Sequence, residues 1–160
     1  MSRFDLSSLA GPPLREKTFD SGELTILFKN EFGLVMLCHA TGLIKFSWLP
    51  ASGSMEFEHF RKTMLALSDI VVARQTKSLL SDLRHFLYRA PVNIALWNKQ
   101  ILVPRHNRTL KRHAWLVSEA YHSLPESGRT YRKSEERYLS RWFTDEAEAM
   151  AWATSGSGSL

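Results

Sequence analysis

The chain has 160 residues, of which 44% are hydrophobic and 23% are charged, and its formal net charge is +5. This composition suits a single globular domain with its own core, and no apolar run approaches the roughly 20 residues that a membrane-spanning helix needs. Residues 1–5 lack the pattern of a secretory signal, and a single cysteine, Cys38, excludes an internal disulfide framework. A cytoplasmic location is therefore expected.

Residues 1–22 are predicted to form an N-terminal arm, because the Gly-Pro-Pro run at residues 11–13 blocks helix and strand alike. Three strands are predicted next, at 24–29, 34–39 and 43–48. The first and third alternate apolar with polar residues, and the second is almost continuously apolar. Their close spacing favours an antiparallel meander.

A long helix is predicted over residues 55–72, with Ser54 as its N-cap. Apolar residues recur there at spacings of three and four, which is the pattern of a helix that covers a sheet. The stripe consists of Phe57, Phe60, Met64, Leu67 and Val71. A short buried strand at residues 79–83 follows it.

The second half of the chain is predicted to contain two more helices and a fifth strand, at residues 114–118. Pro91 suits the start of one helix, and Pro104 is expected to end it. Its apolar side is assigned to Ile94, Trp97 and Ile101.

The C-terminal part is less regular. Residues 133–139 fit either a short helix or the approach to an edge strand. Thr144 is predicted to cap a last helix whose buried side contains Met150, Ala151 and Trp152. The domain is predicted to span residues 23–153, followed by a flexible Ser/Gly tail at 154–160.

These elements predict an α/β fold with one mixed sheet: an antiparallel meander followed by β-α-β units. Several motifs in that order resemble the SpoIIAA-like branch of the STAS-like families, which are named for sulfate transporters and anti-sigma-factor antagonists. The resemblance covers about residues 23–153. It is carried by Trp48, the strand end Asp82-Leu83-Arg84, Trp97, Pro104, the run Lys111-Arg112-His113-Ala114, and the segment from Phe143 to Trp152.

The resemblance implies a sheet with helices packed on one side, and a bacterial regulatory or binding module that contacts a protein or a small ligand. The related antagonists carry a phosphorylatable serine directly after the strand-end aspartate. Leu83 holds that place here, and Ser81 precedes Asp82 on the opposite face of the strand. A phosphorylation switch of that kind is therefore not expected.

The strand end is the first candidate binding site. Asp82 and Arg84 lie two residues apart, so they share a face at the carboxyl edge of the sheet, where ligands of open α/β folds usually bind. An arginine there can offer a planar pair of donors to a carboxylate or phosphate, facing the start of the second helix. The alternative is structural, with Arg84 holding the following loop. Trp97, Lys111 and Arg112 complete the predicted partner- or ligand-binding set.

No catalytic residue, metal ligand or cofactor is predicted. The six histidines show no i, i+4 pair of the kind that binds zinc in metalloproteases. His85 lies near Asp82, yet no motif places a nucleophile beside it, so an enzyme that uses these two residues is the weakest hypothesis.

Two functions remain open at this stage. The leading hypothesis is a non-enzymatic STAS-like module for a protein partner or a small apolar or anionic ligand; a homodimer is left open. The alternative is nucleic-acid binding through residues 99–141, which hold ten basic and four acidic side chains. That alternative is disfavoured, because the stretch carries no nucleic-acid motif and equally fits a solvated surface.

Overall fold

The computed structural model describes residues 23–91, 93–121 and 129–156. The predicted arm at 1–22 and the tail residues 157–160 lie outside the described residues. Within the described ranges, no helix is both long enough and apolar enough to span a membrane.

One six-stranded sheet forms the centre of the fold, with its strands in sequential order. The first three are antiparallel neighbours, and the remaining pairings are parallel. The strands are β1 Leu24–Lys29, β2 Gly33–Cys38, β3 Ile44–Trp48, β4 Ser78–Asp82, β5 Arg112–Leu116 and β6 Leu139–Phe143. The predicted fold class, α/β with a single mixed sheet, is confirmed.

Four α-helical segments accompany the sheet in the part of the chain that the structure describes. They are α1 Phe57–Ala73, α2 Ile94–Trp97, α3 Val103–His106 and α4 Glu146–Ser155. A π-helical turn, Asn98–Leu102, joins α2 directly to α3, and short 3-10 turns occupy Pro50–Ser54 and Glu119–Tyr121.

Neighbouring residues of β4 belong to two different apolar clusters, because alternate side chains of a strand point to opposite faces of a sheet. Leu79 packs with Phe60 and Leu67 of α1, and the segment from α2 to α3 lies on this same side. Leu80 packs with Met150, Ala149 and Ala153 of α4. The sheet is therefore covered on both faces, which explains why all five residues of β4 are buried, including the polar Ser78, Ser81 and Asp82.

The apolar stripe of α1 is confirmed as core. Phe60, Leu67 and Val71 are buried, and Phe57 and Met64 are half-buried against them. The predicted N-cap is wrong: Glu56, not Ser54, caps the helix. Its carboxylate accepts from the third helical N–H, and its own N–H donates to Nδ1 of His59 at 3.0 Å. This capping box satisfies two backbone donors at once, which a lone serine cannot do.

Pro104 does not end the second helical segment, contrary to the prediction. A proline ring inside an α-helix clashes with the carbonyl four residues earlier, here that of Gln100. The π-helical turn widens the helix just before that point, and the N–H of Val103 bonds to the carbonyl of Asn98. Pro104 then lies in the first turn of α3, where no N–H is needed, and the segment continues to His106.

Of the two alternatives left open for residues 133–139, the structure realises the approach to an edge strand, which is β6. The C-terminal part differs from its prediction in two ways. Asp145 rather than Thr144 caps α4, accepting from the N–H of Glu148 at 2.9 Å. The helix also runs past the predicted domain end to Ser155, because Arg112 donates to Oγ of Ser155 at 2.9 Å and holds the last turn.

Candidate ligand-binding cavity

The predicted strand-end site is an internal ion pair. Asp82 is buried, and its carboxylate accepts from Nε of Arg84 at 3.0 Å and from Nη2 at 2.7 Å. The backbone N–H of Arg84 donates to the same carboxylate at 3.1 Å. The side-chain hydrogen bond to Asp82 is the main reason why the pKa of Arg84 is raised. Two of the donor atoms of the guanidinium are thus already occupied.

This pair extends to a second carboxylate and a second cation. Nη2 of Arg84 lies 3.4 Å from Glu146 at the start of α4, and Nζ of Lys45 lies 2.6 Å from the same carboxylate. Arg84 therefore faces the last helix, α4. The prediction that it faces the start of the second helix is wrong. The two positive and two negative charges balance, so the cluster ties β3, β4 and α4 together.

The other three predicted site residues lie elsewhere. Trp97 packs its ring against Phe57 and Phe60 in the core on the α1 side. Arg112 bonds to the carbonyl of Trp152 at 3.1 Å and stacks over its ring. Lys111 directly precedes β5 and is exposed.

The strand register shows why the five predicted binding residues do not form one site. Arg112 pairs with Ser78, at the opposite end of β4 from Asp82. The structure thus brings Asp82 and Arg84 together but leaves Trp97, Lys111 and Arg112 apart from them.

A cavity of about 320 Å³ lies on the α1 side of the sheet, beneath α1 and the segment from α2 to α3. None of the five predicted site residues lines it. Its size falls at the lower end of the roughly 300–1,000 Å³ typical of small-molecule sites. Its apolar wall is formed by Phe46, Trp48, Met64, Leu67, Leu79, Leu83, Leu102 and Val103.

Polar groups occupy the sheet side of this cavity. Oγ of Ser81 lies 2.8 Å from Nε2 of His113, and both residues are buried. The His113 ring stacks on Trp115, with 3.8 Å between the ring centres, and lies beside Tyr138. These four side chains all line the cavity.

Four of the lining residues hold a buried polar atom without a hydrogen-bond partner. Proteins rarely leave such atoms unpaired, because each lacks the bond that water would have supplied. The atoms are Oδ1 of Asn98, Nε2 of His106, Nδ1 of His113 and Nε1 of Trp115. Among the described residues, eight buried side-chain atoms have no hydrogen-bond partner, and four of the eight belong to residues that line this cavity.

Burial keeps the two histidines and the tyrosine of the cavity wall uncharged. It lowers the pKa of His106 to about 4, with a smaller contribution from the charge of Arg105. Burial also lowers the pKa of His113 well below its ordinary value, and it raises the pKa of the Tyr138 phenol. At neutral pH both imidazoles are therefore neutral, and each offers one donor and one acceptor nitrogen.

Charged residues form the rim of the cavity, and an ion pair and hydrogen bonds connect its two sides. Nζ of Lys99, in the π-helical turn, lies 3.2 Å from Glu135. Asn107 donates to the carbonyl of Glu135 at 2.8 Å and accepts from the N–H of Arg137 at 2.7 Å. Lys133 and Glu136 complete the rim. Two cations thus face two carboxylates there.

The sequence analysis missed these cavity residues. Ser81 was noted only as lying on the face opposite Asp82, and His106 and His113 were read as members of a basic stretch. One signal was present: His113 directly precedes the strand predicted at 114–118 and lies two residues before Trp115, so a strand that began slightly earlier would place both on one face. Asn98 and His106 gave no such signal, because their position depends on the π-helical turn. In the described residues, no group of three or more His, Cys, Asp or Glu side chains is placed to hold a metal ion.

Comparison with known proteins returned no match to a family model, to a curated protein or to a solved structure.

Proposed function

We propose that this protein is a non-enzymatic binding module that holds a small molecule in the cavity between its sheet and α1. The observation that carries the proposal is the cavity itself, about 320 Å³ in volume, with an apolar and aromatic wall and the polar Ser81–His113 pair on its sheet side. Small-molecule sites typically combine such an apolar lining with a few placed polar groups. Apolar surface that a ligand buries against this wall favours the bound state by roughly 25 cal/mol per Å².

A STAS-like relationship is part of the same proposal, as are the regulatory role and the bacterial cytoplasm that it implies. It is supported by the order of the sequence motifs and by an α/β sheet of the implied kind. A small-molecule site fits a domain type that acts by contacting ligands or proteins. The cavity moves the proposed site from the Asp82–Arg84 strand end to the opposite face of the same strand.

Binding is favoured over catalysis by the state of the Ser81–His113 pair. A serine nucleophile needs a base that accepts its proton and a third group that orients that base. Nδ1 of His113 has no hydrogen-bond partner, and a histidine whose pKa is far below the usual range is a weak base. The pair is better suited to bind than to react.

Small-molecule binding is also favoured over nucleic-acid binding. Three of the ten basic residues of the 99–141 stretch are engaged within the fold: Lys99 with Glu135, Arg105 with Asp69 at 3.1 Å, and Arg112 with α4. A nucleic-acid site requires such side chains to face phosphates instead. Retention on heparin that falls steeply with salt would support the alternative.

Native mass spectrometry of the purified protein tests the proposal. We expect a bound small molecule that is released on denaturation. Val103→Phe should reduce its occupancy by adding bulk to the cavity wall. Val72→Phe is the matched control, since Val72 is half-buried on α1 but does not line the cavity. Equal occupancy in both variants would place the ligand elsewhere.

A further inference from the structure

A second depression, open to solvent, is formed by the π-helical turn, α3, the residues that follow α3, and the segment 135–137. Its volume is about 410 Å³, and it borders the cavity described above, with which it shares the Lys99–Glu135 pair. Within the described residues its lining contains three cations and one carboxylate, so it is called the basic groove below. The cations are Lys99, Arg108 and Arg137, and the carboxylate is Glu135.

Two of the three cations of the basic groove have no ion pair. Nζ of Lys99 lies 3.2 Å from Glu135, which accounts for the carboxylate. Among the described residues, no Asp or Glu side chain lies within ion-pair distance of Arg108 or Arg137, and both arginines are exposed. The groove therefore carries a net charge of +2, on side chains that a ligand in solution can reach.

Asn107 holds the two unpaired arginines close to each other. Its side-chain carbonyl accepts from the N–H of Arg137 at 2.7 Å, and its amide donates to the carbonyl of Glu135 at 2.8 Å. Arg108 directly follows Asn107, and its own N–H bonds to the carbonyl of Arg105 at 3.2 Å. Standard bond lengths then place Cα of Arg108 within about 10 Å of the N–H of Arg137. Two arginine side chains easily span that distance, so both guanidiniums can contact one ligand without a movement of the backbone.

The charge and the chemical type of these groups favour a phosphate group as the ligand. A guanidinium offers paired N–H donors whose geometry matches a phosphate. A phosphate monoester carries a charge of about −1.5 to −2 at pH 7, which balances the net charge of the groove, whereas a carboxylate balances only about half of it. A ligand in an open groove also keeps part of its hydration, which avoids most of the desolvation cost of a buried anion.

We propose that the basic groove binds the phosphate group of a small molecule, as a monoester or as the free dianion, through Arg108 and Arg137. Val103 and Pro104 give the groove an apolar side against which the organic part of a monoester packs. A nucleic-acid backbone fits less well, because each of its phosphates carries a single charge and a strand needs further cations along its length. This second site goes beyond the binding function proposed for the cavity and does not depend on it.

Phenyl phosphate and phenyl sulfate test the proposal, since they have nearly the same shape but differ by about one negative charge at pH 7.5. Calorimetry gives the Kd values, and the backbone amide resonances of Asn107, Arg108 and Arg137 locate the site. We expect phenyl phosphate to bind about tenfold more tightly than phenyl sulfate, the equivalent of one charge-assisted hydrogen bond. Inorganic phosphate distinguishes the two sources: weaker binding than that of phenyl phosphate assigns the groove to a monoester, and equal binding assigns it to the free ion.

Charge-removing variants connect the affinity to the groove. Arg108→Gln and Arg137→Gln should each weaken phenyl phosphate binding by about tenfold, because each removes one guanidinium. Arg132→Gln is the matched control, since Arg132 is also an exposed arginine of the same stretch but does not line the groove. Glu135→Gln should strengthen binding by about threefold, because it releases Lys99 from its ion pair. Such a gain cannot arise from impaired folding.

Several outcomes would overturn the phosphate site. One is the absence of phenyl phosphate binding, and another is equally tight binding of phenyl sulfate. An equal loss of affinity in Arg132→Gln would show attraction by net charge alone. A single-stranded oligonucleotide that binds more tightly than phenyl phosphate and displaces it would identify a nucleic-acid surface instead. None of these results bears on the cavity, whose ligand is detected separately by native mass spectrometry.

Discussion

Oγ of Ser81 lies 2.8 Å from Nε2 of His113, on the neighbouring parallel strand. His113 pairs in register with Leu79, two residues before Ser81, so the histidine reaches along the strand to the serine. The bond places a polar contact in the middle of an otherwise apolar sheet face. It also removes Ser81 from solvent, since the residue is only 4% exposed.

Ser81 should therefore resist phosphorylation. A serine kinase needs the hydroxyl in an accessible, extended segment, whereas Ser81 is buried in β4. We expect peptide mapping after incubation with such a kinase to find the strand end unmodified. Phosphate on Ser81 of the folded protein, with an effect on binding, would refute this.

Leu67→Ala should lower the free energy of unfolding by about 2–5 kcal/mol, because the side chain is 1% exposed and packs between α1 and the sheet. Chemical denaturation measures the change. Leu96→Ala serves as the control: Leu96 is 52% exposed and its loss should cost about 0.5 kcal/mol or less. Equal effects at the two sites would contradict the assignment of α1 to the core.

Stability should fall as the pH drops from about 6.5 towards 4. The pKa of His106 is lowered to about 4 in the folded protein, so across this window the unfolded chain binds the proton and the folded chain does not. The full contribution is on the order of 3 kcal/mol, from about 1.4 kcal/mol for each pKa unit, and it is present above pH 6.5. Burial also lowers the pKa of His113, so this residue likewise reduces stability as the pH falls.

His106→Gln isolates this effect, because glutamine does not titrate. Its free energy of unfolding, measured by denaturation at several pH values, should vary less between pH 6.5 and 4 than that of the unaltered protein. His85→Gln is the control, since His85 is exposed. An unchanged slope in His106→Gln would show that this histidine is not buried in its neutral form.

Arg84→Ala should lower the melting temperature without changing ligand affinity. It leaves the buried Asp82 carboxylate without its main partner, at a cost of about 1–2 kcal/mol once the solvent screening of the exposed guanidinium is considered. Arg61→Ala, which breaks the surface pair with Glu58, should cost less than about 0.5 kcal/mol. Weakened ligand binding at unchanged stability would instead restore the strand end as the functional site.

The sequence by itself determined the fold class, the first five strands and the longest helix. Alternating residues predicted β1 and β3, and the stripe from Phe57 to Val71 predicted α1, because strand and helix periods are imposed by the local backbone. The spacing of Asp82 and Arg84 likewise predicted their contact, since residues two apart in a strand share a face. Such short-range relationships need no knowledge of the remaining chain.

Only the tertiary structure decided the site. Ser81 and His113 are separated by 31 residues in the chain, and their contact depends on the parallel register of β4 with β5. Asn98 and His106 reach the same cavity through a π-helical turn that no apolar pattern indicated. The unpaired state of their polar atoms is likewise a property of the packed molecule, because it depends on which groups from distant segments come within hydrogen-bonding distance.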